Sequence, residues 1–215
     1  AAQAQAVNAL GGPVLILAGA GTGKTRTVTC RIAHMVDRGI APENILAVTF
    51  TNKAANEMRE RVSDMVSKAA GKEITVCTFH SLCVRILRTG IDRLGYKQNF
   101  TIYSGNDQTG LIKQIIVRKG GGQVKIEPGF VISTISKAKN AGGDADSIAD
   151  PFIADIAKAY QNELRAQNAV DFDDLLLLAE RLLREFPEVR DICRKRWTRV
   201  TVDEFQDTNG LQMRL

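Results

Sequence analysis

Ala18-Gly19-Ala20-Gly21-Thr22-Gly23-Lys24-Thr25 is the stretch on which the reading of this chain turns. It follows Val14 to Ala18, a short apolar run with the length of a buried strand, and it opens a segment of helical periodicity reaching about Arg38. Strand, glycine-rich turn and helix in that order are the setting in which such a turn binds phosphate. Gly19, Gly21 and Gly23 let backbone amides turn inward, and the positive end of the following helix adds to the attraction for an anion. Lys24 is placed to bridge the outer phosphates of a nucleotide, and the Thr25 hydroxyl to hold Mg²⁺. The competing reading is a glycine-rich turn with no ligand. Ala18 stands where the general phosphate-loop pattern has glycine, a departure from that pattern.

Outward from this loop the alternation repeats. The pattern predicts strands at Ile45 to Thr49 and Ile74 to Thr78, a helix from about Asn52 to Ala69 between them, and another helix beginning near Phe79. Gly39 and Gly71 read as helix stops. Strand and helix in strict turn imply parallel pairing through right-handed crossovers, which place helices on both faces of the sheet. From about Arg85 to Cys193 helical patterns take over, at Asp107 to Arg118, Pro128 to Lys139, Pro151 to Gln167 and Asp171 to Arg184, with one short strand candidate at Phe100 to Tyr103. Glycine turns at Gly120-Gly121-Gly122 and Gly142-Gly143 punctuate them. Strand character returns at Val200 to Val202. The expected organisation is an α/β phosphate-loop lobe from residues 1–84 and 193–215, incomplete at its C-terminal end, interrupted by a mostly helical inserted domain at 85–192.

Composition narrows the class without naming a function. With 44% apolar and 25% charged residues in 215, the chain has the makeup of a folded globular protein. The longest apolar runs fall far short of the roughly 20 residues a spanning helix needs. The opening Ala1-Ala2-Gln3 has no leader-like succession of basic, apolar and small residues, so a cytoplasmic location is expected. Cys30, Cys77, Cys83 and Cys193 form no Cys-x-x-Cys pair and are read as reduced and structural. A net charge of +5 suits a polyanionic partner but does not require one.

A phosphate loop needs a carboxylate at the end of a second strand, and Val200-Thr201-Val202-Asp203-Glu204 supplies one with a spare acid beside it. Asp203 is the candidate Mg²⁺ ligand and Glu204 the general base for an attacking water. The plainer reading is a strand ending in solvated acids.

These acids begin the run Asp203-Glu204-Phe205-Gln206-Asp207-Thr208-Asn209, which resembles the DExQDTN signature of the UvrD/Rep/PcrA-like group of superfamily 1 DNA helicases. AGAGTGKT looks like that group's own version of the phosphate loop, alanine included. TFTNKAANEM (Thr49–Met58), TFHSLCVRIL (Thr78–Leu87) and DFDDLLLL (Asp171–Leu178) follow in the group's order, so the resemblance covers nearly the whole chain. It implies an N-terminal fragment: the first of two RecA-like lobes with its helical insertion, of a motor that uses ATP and Mg²⁺ to move 3′ to 5′ on single-stranded DNA and to open single-strand/duplex junctions. The second lobe and its arginine finger are expected outside these residues, leaving the fragment nearly inactive. The resemblance assigns nucleotide contacts to Gln3, Ala20, Gly21, Thr22, Gly23, Lys24, Thr25 and Arg26. Gln3 would read the adenine edge and the flat Arg26 guanidinium would stack on the base. Gln206 would couple the nucleotide site to the DNA path. Two rival readings are a nucleotide-gated DNA-binding module without turnover and the motor lobe of a helicase-nuclease.

For DNA the resemblance points to Phe50, Thr51, Asn52, Thr78 and His80, at or just beyond the carboxyl ends of predicted strands, where ligands gather in an open parallel sheet. Phe50 offers a ring face to an unstacked base, and Thr51 and Asn52 offer neutral donors to the backbone. Without the resemblance, Phe50 reads as core and Thr51-Asn52 as a helix cap. Asp171, Asp173 and Asp174 look like a metal cluster but are read as capping acids at a helix start. Arg190 to Arg199, a basic stretch around Ile192, Cys193 and Trp197, is read as a packed helix with a solvated basic face.

Overall fold

The computed structural model describes residues 2–19, 21–120 and 126–215. The chain forms two compact units, Ala1–Leu82 with Asp191–Asp207, and Cys83–Arg190 with Thr208–Leu215. In chain order the elements are α1 (Ala2–Asn8), α2 (Lys24–Asp37), β1 (Ile45–Thr49), α3 (Asn52–Met65), α4 (Lys68–Glu73), β2 (Thr75–Thr78), α5 (Phe79–Leu87), β3 (Thr101–Ile102) and α6 (Gly105–Gly120). They continue with α7 (Pro128–Asn140), α8 (Pro151–Ala166), β4 (Ala169–Val170), α9 (Phe172–Glu185), α10 (Pro187–Arg196), β5 (Arg199–Val202) and α11 (Gly210–Arg214).

The first unit is built on a parallel sheet in the order β2-β1-β5. Every residue of β1 is buried, as a central strand covered on both faces must be, and this is why Ile45–Thr49 reads as an unbroken apolar run. Thr49 lies opposite Thr78 and Val48 opposite Val202, so the three strands end at one edge. The core of this unit joins Val28, Ile32 and Met35 of α2 to Met58 and Val62 of α3 and to the sheet residues Ile45, Ala47 and Val76. α2 stops where Gly39 takes φ +84° and Ile40 N–H donates back to the Met35 carbonyl, a left-handed terminus that favours glycine. Trp197 is buried, its indole N–H donating to Thr75 Oγ1 at 3.2 Å.

Three expectations for this unit are corrected. Residues 14–18 form no strand: among the described residues no ladder reaches them, and Val14, Leu15 and Leu17 are 41%, 68% and 86% exposed. An apolar run becomes a strand only where a neighbour accepts its backbone hydrogen bonds, and the sheet here ends at β5. The helix from Asn52 breaks at extended Val66, and Ser67 caps a new one by accepting from Ala70 N–H at 3.2 Å. Gly71 therefore lies inside α4 rather than at a helix end. A Cβ there would fall 2.7 Å from Ser63 Oγ and 3.2 Å from Ser63 Cα, so its use is the close approach of α3 and α4.

The second unit is mostly helical. α6, α7 and α8 bury Ile112, Ile115, Val131, Ile135, Ile156 and Leu164 in a common core, and α9 buries Leu175, Leu178, Ala179 and Leu182 on one face. β3 and β4 make a two-residue parallel ladder, Thr101 opposite Ala169 and Ile102 opposite Val170. Gly120 ends α6, while Gly121 and Gly122 lie outside the described residues.

Candidate nucleotide and nucleic-acid site

The glycine-rich loop enters α2 through left-handed backbone at Gly21 (φ +75°) and Gly23 (φ +85°), conformations that disfavour a Cβ. Gly23 caps α2 with no side-chain bond to the helix, leaving its first amides open to an anion. Thr22 Oγ1 donates to the Gly19 carbonyl at 2.7 Å and fixes the turn. Ala20 lies outside the described residues. Lys24 and Thr25, the first residues of α2, are half-buried, and Arg26 is exposed.

Gln3 comes to this loop by way of an element that the sequence reading missed. Its Nε2 donates to the Thr22 carbonyl at 2.7 Å, and α1 is tied to α2 by Arg31 Nη1, which donates to the Ala6 carbonyl at 2.7 Å. Burial lowers the Arg31 guanidinium from its usual value. Arg31 thus positions Gln3, and the signal was available only as an arginine on the otherwise apolar side of α2.

Glu204 reaches the same place from the end of β5. Lys24 Nζ stands 3.8 Å from Glu204 Oε2, joining the loop and the acidic run although neither is near the other in sequence. Asp203 is buried; its amide donates to the Val48 carbonyl at 2.9 Å, and its Oδ1 accepts from Glu204 N–H at 3.0 Å. Burial holds the Asp203 carboxyl above the usual range; the Glu204 N–H bond and the Lys24 charge oppose this, and the Glu204 charge adds to it. Glu204 has φ +51°, a left-handed backbone rare outside glycine. Its Oε2 accepts from Gln206 Nε2, so the residue assigned to coupling bonds directly to the candidate base.

The two middle blocks emerge at the edge where β1 and β2 end. Phe50 is half-buried, its ring centroid 5.4 Å from that of Phe79 and tilted at 55°. Thr51 and Asn52 are exposed, and Thr51 Oγ1 accepts from Ala54 N–H at 3.1 Å as the cap of α3. Thr78 is buried with its hydroxyl spent on Ser81, accepting from Ser81 N–H at 3.3 Å and donating to Ser81 Oγ at 3.0 Å. The exposed member of that pair is Ser81, which shares the TFHSLCVRIL block with Thr78. His80 is half-buried at the start of α5.

A sequence model described as the UvrD/REP helicase N-terminal domain matches residues 1–215. The chain belongs to the UvrD/REP helicase family. It is 42% identical over 225 residues to a protein of Bacillus subtilis (strain 168) named ATP-dependent DNA helicase PcrA. It is likewise 42% identical over 221 residues to the protein of that name from Staphylococcus aureus (strain Mu50 / ATCC 700699). In both cases 99% of this chain is covered, and the chain spans 30% of the relative's length.

Two other features of this UvrD/REP domain have structural explanations. Asp171 caps α9 in a reciprocal capping box with Asp174. Both carboxylates take Lys139 Nζ, at 2.7 and 2.8 Å, and Tyr160 OH donates to Asp171 at 3.1 Å. Among the described residues no cluster of His, Cys, Asp and Glu suits a metal ion. In the basic stretch, Trp197 is buried as expected, but Ile192 is 52% exposed and Val189 is the buried residue of α10. Among the described residues no helix is long and apolar enough to cross a membrane.

Proposed function

We propose that this chain is the first RecA-like lobe of an ATP-dependent motor, with its helical domain inserted at about 85–192. The motor would move 3′ to 5′ on single-stranded DNA and open single-strand/duplex junctions. The observation that carries this reading is the meeting of Lys24 and Glu204 at 3.8 Å, beside the edge where β1 and β2 present Phe50, Thr51, Asn52 and His80. Nucleotide chemistry and nucleic-acid contacts then share one end of one sheet, as coupling between them requires. The name that the relatives carry, ATP-dependent DNA helicase PcrA, supports ATP and DNA as ligands here. A DNA motor works where chromosomal DNA is handled, and a cytoplasmic location is proposed on that ground.

The residues divide the work by their chemistry. The amides at the start of α2 and the Lys24 ammonium neutralise the phosphate oxygens, while Gln3 and Arg26 hold the base. The Asp203 carboxyl has an oxygen to spare beyond its bond to Glu204 N–H, and with the Thr25 hydroxyl it fits Mg²⁺. When bound there, Mg²⁺ would offset charge on the phosphates. Glu204 accepts the proton of the attacking water, and Gln206, bonded to it, reports its state toward the DNA track.

Steady-state ATP hydrolysis by the full-length protein, with and without single-stranded DNA, tests this. Hydrolysis is expected to rise with DNA. Glu204→Gln should keep nucleotide binding and lose about 10²- to 10⁴-fold in turnover, and Lys24→Ala should lose both. A rate indifferent to DNA, or to either substitution, would contradict the motor.

A further inference from the structure

We infer that Arg31 sets nucleobase selection from a distance: by capping the C-terminal end of α1 it holds the Gln3 amide in the orientation that accepts a donor from the base. This rests on the reading of Gln3 as a base contact, and every residue concerned lies in the first unit. A helix of seven residues is too short to persist on its own hydrogen bonds. Burial does little for it, since among the described residues of α1 none is buried, and Leu10, which packs against the core, lies beyond its end. Side-chain hydrogen bonds therefore set its place, one toward each end. The last carbonyls of a helix have no partner within it. Leu10 N–H, which would reach back to the Ala6 carbonyl if α1 ran on, donates instead to the Asn8 carbonyl at 2.9 Å, and Arg31 Nη1 reaches Ala6 at 2.7 Å. Arg31 is buried, which restricts its turning away, and its charge complements the negative end of the α1 dipole.

Toward the other end, Gln3 Nε2 donates to the Thr22 carbonyl at 2.7 Å. A carbonyl only accepts, so this bond fixes which end of the amide meets the loop and leaves Oε1 as an acceptor for the base. Adenine carries an amino donor at the position where guanine carries a carbonyl. An amide held this way attracts the first and repels the second. The loop side of the contact is fixed as well: Thr22 Oγ1 donates to the Gly19 carbonyl at 2.7 Å, and Thr27, one turn before Arg31 on α2, donates to the Gly23 carbonyl at 3.1 Å. Gly23 leaves room for the side chain, because a Cβ there would stand 3.3 Å from Gln3 Nε2. Without Arg31 the helix loses its hold at the far end and the Gln3 amide can turn, while Lys24 and Thr25, on α2 itself, keep their places.

The test uses the full-length protein with saturating single-stranded DNA and measures kcat and KM for ATP and for GTP. The ratio of the two kcat/KM values, taken on one preparation, does not depend on how much of a variant is folded. Gln3→Ala is expected to lower that ratio about tenfold, the weight of one hydrogen bond to the base. Arg31→Met keeps an apolar stem and removes the donor; it should lower the ratio by a similar factor through KM for ATP, with kcat for ATP within about twofold. The double variant should be no less selective than Gln3→Ala, since both changes act on one contact. Arg31→Lys keeps a charged donor at the end of α1 and should stay within about threefold of the parent. Parent selectivity in Arg31→Met, losses that multiply in the double variant, a loss carried by kcat, or an Arg31→Lys as unselective as Arg31→Met would overturn the role of Arg31 while leaving Gln3 as a base contact. Parent selectivity in Gln3→Ala, or a parent that uses both nucleotides equally, would overturn the reading of Gln3 and this inference with it.

Discussion

At the start of α9 one ammonium is shared by two buried carboxylates, and the consequences of removing it can be worked out residue by residue. Lys139, Asp171 and Asp174 are all almost fully buried. Burial pushes the Lys139 ammonium down, but the charges of Asp174 and Asp171 outweigh it and hold it above its usual value. Its contribution to stability is therefore complete below the unfolded value near 10.4 and is lost only as pH rises through the still higher folded one. Lys139→Met leaves two acids buried without a counter-ion, which should cost about 3–5 kcal/mol. It also moves the pH dependence from the alkaline range down into the carboxylate range. Burial already raises Asp174, and removing Lys139, whose charge and hydrogen bond oppose that rise, raises it further, so the variant loses stability as pH rises through that window. Urea melts at pH 5 and pH 8 check this: the variant should be the more stable at pH 5, and equal midpoints would show that the acids find other partners. In sequence only the aspartates drew notice, because their spacing marks a helix start; the lysine that neutralises them comes from α7, and no local pattern joins the two.

Thr51 shows at the scale of elements how a structural and a functional reading coexist. It is exposed, it caps α3, and it sits at the carboxyl end of β1 where a DNA strand is proposed to pass. Thr51→Ala should cost about 1 kcal/mol through the lost cap. Thr51→Asp keeps the cap and suits the helix dipole, so stability should stay within about 0.5 kcal/mol; a carboxylate facing a phosphate should nonetheless weaken single-stranded DNA binding about tenfold. Thermal melts together with fluorescence anisotropy on a labelled oligonucleotide separate the two effects, and unchanged DNA affinity in Thr51→Asp would reduce Thr51 to a cap alone. Elements whose evidence is local were legible: Ile45–Thr49 as a buried run, α7 and α8 from a proline start and apolar spacing, and the stop at Gly39. What escaped depends on partners distant in sequence. α1 owes its place to Arg31, the two residues of β4 are too few to show a period and exist as a strand only beside β3, and Val14–Ala18 has strand composition without a ladder. The site followed the same rule. Lys24 and Glu204 were each legible as motif residues, whereas the 3.8 Å between them and the sequestration of the Thr78 hydroxyl by Ser81 follow from strand register and helix entry.

For the whole molecule the decisive quantity is how much catalysis these 215 residues contain by themselves. The chain covers 30% of the length of its PcrA relatives, and the proposed motor divides its ATP site between two lobes. Under that proposal this unit supplies the glycine loop, Lys24, Asp203 and Glu204, which would hold a nucleotide and accept a proton. An arginine delivered from a second lobe to the transferring phosphoryl group is worth about 10³ to 10⁵ in rate. The isolated chain is therefore expected to bind ATP measurably, to hydrolyse it at least about 10³-fold more slowly than the full-length protein on single-stranded DNA, and to leave a duplex unopened. Binding of a fluorescent ATP analogue, phosphate release and strand displacement, run side by side on the two proteins, check this. Turnover by the isolated chain within tenfold of the full-length protein would mean that the residues at Lys24 and Glu204 suffice, and that the second lobe serves movement rather than chemistry.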